Sequence, residues 1–430
     1  MRKILVVLLL ALATSFAANA ETDEIRELKK EIDKQYDLLL KMQTRIAELE
    51  TAQKDSDKQI IQKVAAEVEK QQVAAPKPIS WADNFKLSGD FRYRYESIQE
   101  ERDGKADTNR NRIRARLMLE AFINDEWDFG LRLATGSADP VSTNQTLEDS
   151  FSSKPVWLDL AYVHYHPQWM DGLDIYAGKV RNPFYKVGGN QLIWDDDLNP
   201  EGGSLKLASK LGANDMLYTN LGIFYVDVDR AGSNRVDSSL FGIQSYLKHN
   251  FASGDYLIAG ASYYDYGNLK GRSGLKGTWS SSNSLFGNTA SAPNVFASDY
   301  NIVEVFAEYG TKVGELPVAV FGDYAKNIAA STSQDTGWLI GAKLGKARNP
   351  GSWELAYNYR DIEADAVVGA FNDSDFIGGG TDGRGHQFGI TYQLSKNVQA
   401  ALSYYLAEET RTSGCDDDYR RLQLDLKYKF

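Results

Sequence analysis

The sequence contains little cysteine, little histidine and no excess of positive charge, and each shortage excludes a class of protein. Its 430 residues include one cysteine, Cys415, so an internal disulfide is impossible. Lysine and arginine number 48 against 59 aspartate and glutamate residues, and the net charge of −11 argues against a general nucleic-acid-binding protein. There is no G-x-S-x-G motif, and neither His249 nor His386 lies in a recognisable catalytic motif. We therefore do not expect an enzyme.

Long apolar runs are also scarce. The mean hydropathy of −0.42 is too low for a bundle of membrane helices, and after the N-terminus no segment approaches 18 consecutive apolar residues. Residues 4–13 form a short apolar run between Arg2-Lys3 and the small residues Ala18-Asn19-Ala20. This pattern predicts a signal peptide over residues 1–20. A protein that leaves the cytoplasm without membrane helices can span a membrane only as a barrel.

Residues 21–72 contain no glycine or proline and carry an apolar heptad repeat. The repeat is regular from Ile25 to Leu49 and weaker beyond, which predicts a coiled-coil oligomerisation stalk over 21–72. A helix folded back on its own domain is the alternative, and the repeat does not distinguish a dimer from a trimer. Residues 73–84 form a linker between the helix and the barrel, and this linker includes Pro76-Lys77-Pro78. The heptad residues are Ile25, Ile32, Leu39, Ile46 and Ile60 at a, and Leu28, Met42 and Leu49 at d.

From Phe85 the apolar period changes to two residues and stays so to Phe430. The segment FKLSGDFRYRYE alternates apolar with polar residues, as a strand with two unlike faces does. About sixteen such strands can be counted, joined alternately by tight turns and longer polar loops. An even strand number with this alternation is typical of outer-membrane barrels. We therefore predict an all-β, about 16-stranded antiparallel transmembrane β-barrel over 85–430, with the N-terminal α-helical coiled-coil stalk in front.

Aromatic residues are frequent, with 24 tyrosines and 8 tryptophans, and many lie near predicted strand ends. Rings of aromatic side chains at the two membrane interfaces would use them in this way. Candidates for these girdles are Tyr93, Trp127, Tyr225, Tyr264, Tyr357, Tyr404 and Tyr428.

The segment NRNRIRARLMLE, 109–120, has an arginine at every second residue. In a strand these arginines share one face, and arginine facing lipid at the bilayer midplane would cost about 2–4 kcal/mol each. The face must therefore line the lumen, which in a barrel of this size we expect to hold water. The predicted basic wall of the pore consists of Arg92, Arg94, Arg112, Arg114, Arg116 and Arg132.

The predicted loop at 181–203 carries a dense mixture of charges. Folded into the barrel, it would narrow the pore and set acids against the basic wall. Such a transverse field orients hydrated solutes. The expected constriction residues are Lys179, Arg181, Lys186, Asp195, Asp196, Asp197 and Glu201.

Three groups of residues have a metal-binding alternative. Asp195 to Asp197 could bind Ca²⁺, but their spacing is not that of a helix–loop–helix site. His164 and His166 share a strand face and could bind zinc, but no third ligand is evident nearby, so we interpret them as interfacial histidines. The acids of the late loops are interpreted as solvated, with cation bridging to lipopolysaccharide as the alternative. We predict no metal and no cofactor.

The segment YAGKVRNPFYKVGGNQLIWDDDLNPEGG, 176–203, resembles a loop of the bacterial outer-membrane putative porin family, which is related to the phosphate-selective porins. The terminal Phe430 after alternating apolar residues is similar to the signal read by the outer-membrane assembly machinery. The resemblance implies a trimeric, passive diffusion channel. The acidic run Asp195 to Asp197 departs from strict phosphate selectivity, which depends on basic constriction residues.

The expected function is an outer-membrane porin for ions and small hydrophilic solutes, with a weak preference for anions. It would lie in the outer membrane of a Gram-negative bacterium, with the stalk in the periplasm. Its expected partners are membrane lipid and lipopolysaccharide, two further copies in a homotrimer, solutes in transit, and peptidoglycan or a periplasmic protein at the stalk, but no nucleic acid. The alternative is an outer-membrane anchor whose stalk tethers the cell wall or partner proteins.

Overall fold

The computed structural model describes residues 23–70, 82–101, 106–228, 237–275, 285–410 and 417–430. The chain divides into two units, Met1–Ser80 and Trp81–Phe430. The predicted signal peptide over 1–20, the Pro76-Lys77-Pro78 linker and Cys415 lie outside the described residues.

The first unit contains one helix, α1, Asp23–Lys70, of 48 residues. Good helix formers and the absence of glycine and proline allow this length. None of the described helices is both long and apolar enough to cross a membrane. The described seam residues of the heptad repeat are more than half exposed in the single chain: Ile32, Leu39, Met42, Ile46 and Leu49.

The second unit is a closed antiparallel barrel, because each wall strand pairs with the next and the last pairs with the first. The sixteen strands counted in the sequence are all present, with starts that agree to within a few residues. In chain order the wall strands β1 to β16 are Phe85–Glu100, Thr108–Asn124, Trp127–Thr135, Val156–Tyr165, Leu173–Lys179, Glu201–Lys210, Asp215–Asp227, Ser238–Asn250, Tyr256–Gly267, Tyr300–Val313, Leu316–Asn327, Thr336–Gly345, Trp353–Ile362, Gly383–Ser395, Val398–Glu409 and Asp417–Lys429.

Short turns join the strands at one end of the barrel and longer loops join them at the other, as predicted. The turns include 125–126 and 314–315, whereas the loops include 180–200, 268–299 and 363–382. Short elements outside the wall numbering are the strands Gln145–Thr146, Ala290–Ala292 and Val295–Phe296 and the 3₁₀ turns Ala82–Asn84, Val187–Gly189, Gly369–Phe371 and Phe376–Gly378.

The two faces of the wall differ as the alternation predicts. On β1, Phe91 and Tyr93 are exposed on the outside, whereas Arg92 and Arg94 are buried on the inside. The assignment of Tyr264 to a girdle is wrong, because its side chain is fully buried and its hydroxyl donates to Glu304 inside the barrel. Those exposed by more than a third are Tyr93, Trp127, Tyr225, Tyr357 and Tyr428.

Candidate functional site: a constriction in the lumen

The six arginines predicted to form a basic wall lie together on the inner face of three neighbouring strands. Antiparallel pairing places Arg92 opposite Arg114 and Arg94 opposite Arg112. Arg132 follows on β3 and donates to Asp159, which lies at a β-bulge of β4. Closure of the barrel brings β16 beside β1 and adds Arg421 and Lys427 to the same wall, two residues that no local pattern in the sequence could assign to it.

Acidic side chains on the wall itself partly neutralise the arginines, which the sequence reasoning did not anticipate. Asp90 accepts hydrogen bonds from Arg114 at 2.8 Å and from Arg116 at 2.7 Å. Asp425 accepts from Arg94 Nε at 2.7 Å and Nη2 at 2.9 Å, a bidentate pair.

A third wall carboxylate, Glu96, accepts from Arg421 Nε at 3.0 Å and also from Arg110. Arg92 and Arg112 are the least neutralised. Both donate to Asn144, but among the described residues the buried Nε of each has no acceptor.

The loop 180–200 folds into the lumen. Its first half reaches the far wall: the Tyr185 amide donates to Gln244 Oε1 at 2.6 Å, and Asn190 Nδ2 donates to Asp323 Oδ2 at 2.9 Å. Its second half returns to the basic wall, where Asn199 Nδ2 donates to Asp159 Oδ1 at 2.8 Å. We call this segment the first inward loop.

Glycines allow the chain to turn from the wall into the lumen at both ends of the first inward loop. Gly178 and Gly202 pair across β5 and β6, with φ values of 126° and 149°. A Cβ on either would lie 2.2 Å from a carbonyl oxygen of the next strand, Ala161 O or Ile223 O. This close approach explains why both positions are glycine.

The three consecutive aspartates of this loop have three different environments. Asp195 is buried and accepts from the amides of Asp197 at 2.7 Å and Ser374 at 2.9 Å. Asp196 is exposed and pairs with Lys186. Asp197 faces the basic wall, 3.1 Å from Arg116 and 3.7 Å from Arg114. The three carboxylates diverge, so this geometry does not favour the calcium alternative.

Burial and neighbouring charges move the pKa values of two of these carboxyls in opposite directions. Burial, together with the charges of Asp197 and Asp373, raises the pKa of Asp195 well above its ordinary value. Burial opposes ionisation of Asp197 too, but Arg114 and Arg116 outweigh it and lower the pKa of Asp197. One acid of the loop therefore holds its proton more tightly while its neighbour stays charged.

The other predicted constriction residues lie where the loop leaves and rejoins the wall. Lys179, at the end of β5, donates to Asn199 O at 3.1 Å and to Glu201 Oε1 at 2.9 Å. Lys186 donates to Trp194 O at 3.2 Å. Arg181 is exposed and lines a cavity at another level of the lumen.

A second inward loop, 363–382, also enters the lumen, and sequence reasoning missed it. Asp375 is held by Arg94 at 3.1 Å and Arg421 at 2.7 Å. Burial opposes its ionisation, but Arg421 and Arg94 hold the pKa of Asp375 far below its ordinary value. Asp373 pairs at 2.7 Å with the fully buried Arg360. The acidic composition of this segment suggested a solvated loop, whereas Asp373 and Asp375 are bound by arginines of the wall.

Apolar side chains fill part of the interior, which the sequence did not predict. Apolar side chains of the two inward loops pack with inward-facing wall residues into one buried cluster. Trp194 contacts Tyr264, with ring centroids 5.0 Å apart, and Phe376 lies under the Arg360 guanidinium at 4.6 Å. Burial of this apolar surface contributes to holding the loops inside the barrel, together with their ion pairs and hydrogen bonds to the wall.

Across the barrel from the basic wall lies an acidic wall, on β10 and β11, about half-way round from β2. Its members Glu304, Glu308 and Asp323 are buried. In the described chain they accept hydrogen bonds from hydroxyl, amide and backbone N–H groups, as when Tyr256 donates to Glu308 at 2.7 Å. The lumen therefore has a basic side and a side that carries buried carboxyl groups, with the first inward loop between them.

Comparison with protein families agrees with this architecture. A family model described as "putative porin" matches residues 98–313 and 296–430, which is more than half of the chain. The chain belongs to the putative porin family. A barrel of this family is an outer-membrane channel protein, and the earlier resemblance to the family is confirmed. No curated protein sequence matches.

One solved structure shows the same fold at low sequence identity, and two others align with lower scores. The high-pH structure of Pseudomonas putida OprB aligns with a TM-score of 0.53 at 11% identity, over 83% of this porin and 96% of that chain. A mutant of the Rh. blastica porin aligns with a TM-score of 0.46 at 13% identity, over 80% and 100%. A loop-deletion mutant of OmpT of Vibrio cholerae aligns with a TM-score of 0.44 at 11% identity, over 81% and 100%.

Proposed function

We propose that this porin is a passive diffusion channel for ions and small hydrophilic solutes, with a weak preference for anions. The observation that carries the proposal is the pairing of a basic wall with an acidic wall across a lumen narrowed by two inward loops. Arginines on one wall and carboxyl groups on the facing wall favour polar, hydrated solutes over apolar ones, because apolar solutes gain nothing from polar and charged walls.

The preference for anions rests on the residual charge of the basic wall. Its arginines and Lys427 outnumber the carboxylates that pair with them, and Arg92 and Arg112 each have an Nε donor with no acceptor among the described residues. Burial raises the pKa of Asp195, which opposes negative charge on the loop that faces them. A cavity of about 460 Å³, lined among others by Asp139, Thr143 and Asn199, lies beside this region and would admit small solutes.

The test is planar-bilayer conductance of the purified porin, with the reversal potential measured under a KCl gradient. We expect stepwise openings and a reversal potential of anion sign. Replacing Arg92→Gln together with Arg112→Gln should move that potential toward the cation side. The matched control is Arg420→Gln, a strand arginine whose side chain is 47% exposed and paired with Asp418. A potential insensitive to the double variant would refute control by the basic wall.

We further propose that the porin is a homotrimer joined through α1, with α1 in the periplasm. Support comes from the seam of α1, whose described apolar residues are exposed in the single chain. Burying such a seam against copies of itself is how coiled coils are stabilised.

The same seam supports the second candidate function, an outer-membrane anchor that tethers peptidoglycan or a periplasmic protein. The two functions differ in their readouts. A folded barrel that does not conduct, but sediments with peptidoglycan only when α1 is present, would favour the anchor.

A further inference from the structure

Two histidines and an aspartate meet on the inner face of the barrel near its short-turn end. His164 and His166 lie on the same side of the end of β4, and antiparallel pairing places Asp128 of β3 opposite His164. Asp128 Oδ2 is 3.2 Å from His164 Nδ1 and 3.1 Å from His166 Nε2. Sequence reasoning found no third ligand because Asp128 is 36 residues away from His164 in the chain.

These distances fit a small tetrahedral cation. Zinc binds histidine nitrogen at about 2.0–2.1 Å and carboxylate oxygen at about 2.0–2.2 Å, which separates neighbouring ligand atoms by roughly 3.3 Å. The three candidate ligand atoms all lie within 4.8 Å of one another. Without a cation, Asp128 Oδ2 would accept hydrogen bonds from both histidine rings. That arrangement also keeps the oxygen close to both ring nitrogens.

The surroundings of His164 are those of a metal ligand held in one orientation. Its other ring nitrogen, Nε2, is 2.8 Å from Asp174 Oδ1 on β5. A carboxylate that accepts the second N–H of a ligating histidine fixes the tautomer that leaves Nδ1 free to bind metal. The ring also stacks on Tyr176, with centroids 4.3 Å apart and planes 3° apart.

The cluster is reachable from the lumen. A cavity of about 320 Å³ is lined by Asp128, His164 and Tyr176, and also by Lys206 and Arg181. The two cations oppose binding of a metal ion, but Asp128 and Asp174 supply two negative charges beside the histidines. The side chains of all three ligands are between 16% and 34% exposed, so water can take a remaining coordination position.

We propose that Asp128, His164 and His166 form a binding site for a divalent transition metal of the zinc class. Histidine nitrogen with one carboxylate oxygen is a ligand set that Zn²⁺ accepts, and the hard cations Mg²⁺ and Ca²⁺ prefer oxygen alone. Because the ligands come from β3 and β4 and the supporting carboxylate from β5, a bound ion links three neighbouring strands at the mouth of the lumen.

The experiment is calorimetric titration of the full-length, chelator-treated porin in detergent with ZnCl₂, repeated with MgCl₂. We expect one Zn²⁺ per chain and no heat with Mg²⁺. Asp174→Asn should weaken binding roughly 10–100-fold, and His166→Gln should weaken it further. The matched control is His249→Gln, because His249 pairs with Asp215 at 2.7 Å in a histidine–aspartate contact without a second histidine.

Thermal unfolding with and without Zn²⁺ covers the case in which a variant folds poorly. The unfolding midpoint of the parent chain and of His249→Gln should rise with Zn²⁺, and that of Asp128→Asn should not. Absence of Zn²⁺ binding to the parent chain, or equal affinity in His166→Gln and His249→Gln, would show that the cluster is only a pair of histidine–aspartate hydrogen bonds.

Discussion

Asp375 joins the second inward loop to the basic wall through ion pairs, so its charge should control the open cross-section of the channel. Its carboxylate contacts Arg94 at 3.1 Å and Arg421 at 2.7 Å, and both arginine side chains are at most 5% exposed. In Asp375→Asn the shape is kept and the charge is lost. The arginines keep their pairs with Asp425 and Glu96, so they are not left without counter-charges.

The magnitude follows from the burial of the pair. Breaking a buried ion pair by removing one partner costs about 3–5 kcal/mol. We take the lower end because the arginines retain other partners, and about 3 kcal/mol corresponds to roughly a hundredfold change in the ratio of docked to undocked loop. We therefore expect Asp375→Asn to raise single-channel conductance. The reversal potential should shift toward anions, since the second inward loop loses a negative charge.

The assay is single-channel recording in planar bilayers with a KCl gradient. Asp196→Asn is the matched control, because Asp196 also lies on an inward loop but its side chain is 64% exposed. An exposed pair of this kind contributes only about 0–1 kcal/mol, so conductance should stay unchanged. If folded Asp375→Asn porin conducts like the parent chain, apolar packing rather than this ion pair holds the loop, and the reasoning fails.

Two further predictions concern the first inward loop and the helix. Because the pKa of Asp195 is raised, its contribution to loop docking is present at low pH and is lost as the pH rises through that raised value. Ionisation of Asp195 also adds a negative charge to the loop that faces the basic wall. The anion preference should therefore fall with rising pH in the parent porin and remain flat in Asp195→Asn. Equal pH profiles in the two proteins would contradict this. For the helix, Leu39→Asp with Ile46→Asp should give monomers in light scattering while preserving conductance, whereas Lys41→Asp, at a residue outside the seam, should leave the assembly intact.

Much of the barrel could be predicted because successive side chains of a strand alternate between its two faces. Most of the sixteen strands alternate clearly, and lipid on one side and lumen on the other sort their side chains without reference to distant residues. The inward face of Arg92, Arg94, Arg112, Arg114 and Arg116 follows from this alone. The charges of the first loop suggested that it could fold inward against the wall.

The partners of these charges could not be predicted in the same way. Glu96 meets Arg421 only because the barrel closes β16 onto β1, and Asp375 meets Arg94 across 281 residues of chain. Tyr264 was assigned to a girdle although its strand presents it to the lumen. Each of these contacts depends on register and closure, which no local window of sequence contains.

The sequence by itself therefore determined the class of protein, the strand order and which face of each strand is charged, since these depend on composition and local period. Only the tertiary structure decided that acids of the wall and of a second loop neutralise much of the arginine wall, and that Asp128 joins His164 and His166. The physical reason is that charges and metal ligands act over a few ångströms, and in a barrel those distances are set by pairing between strands far apart in the chain.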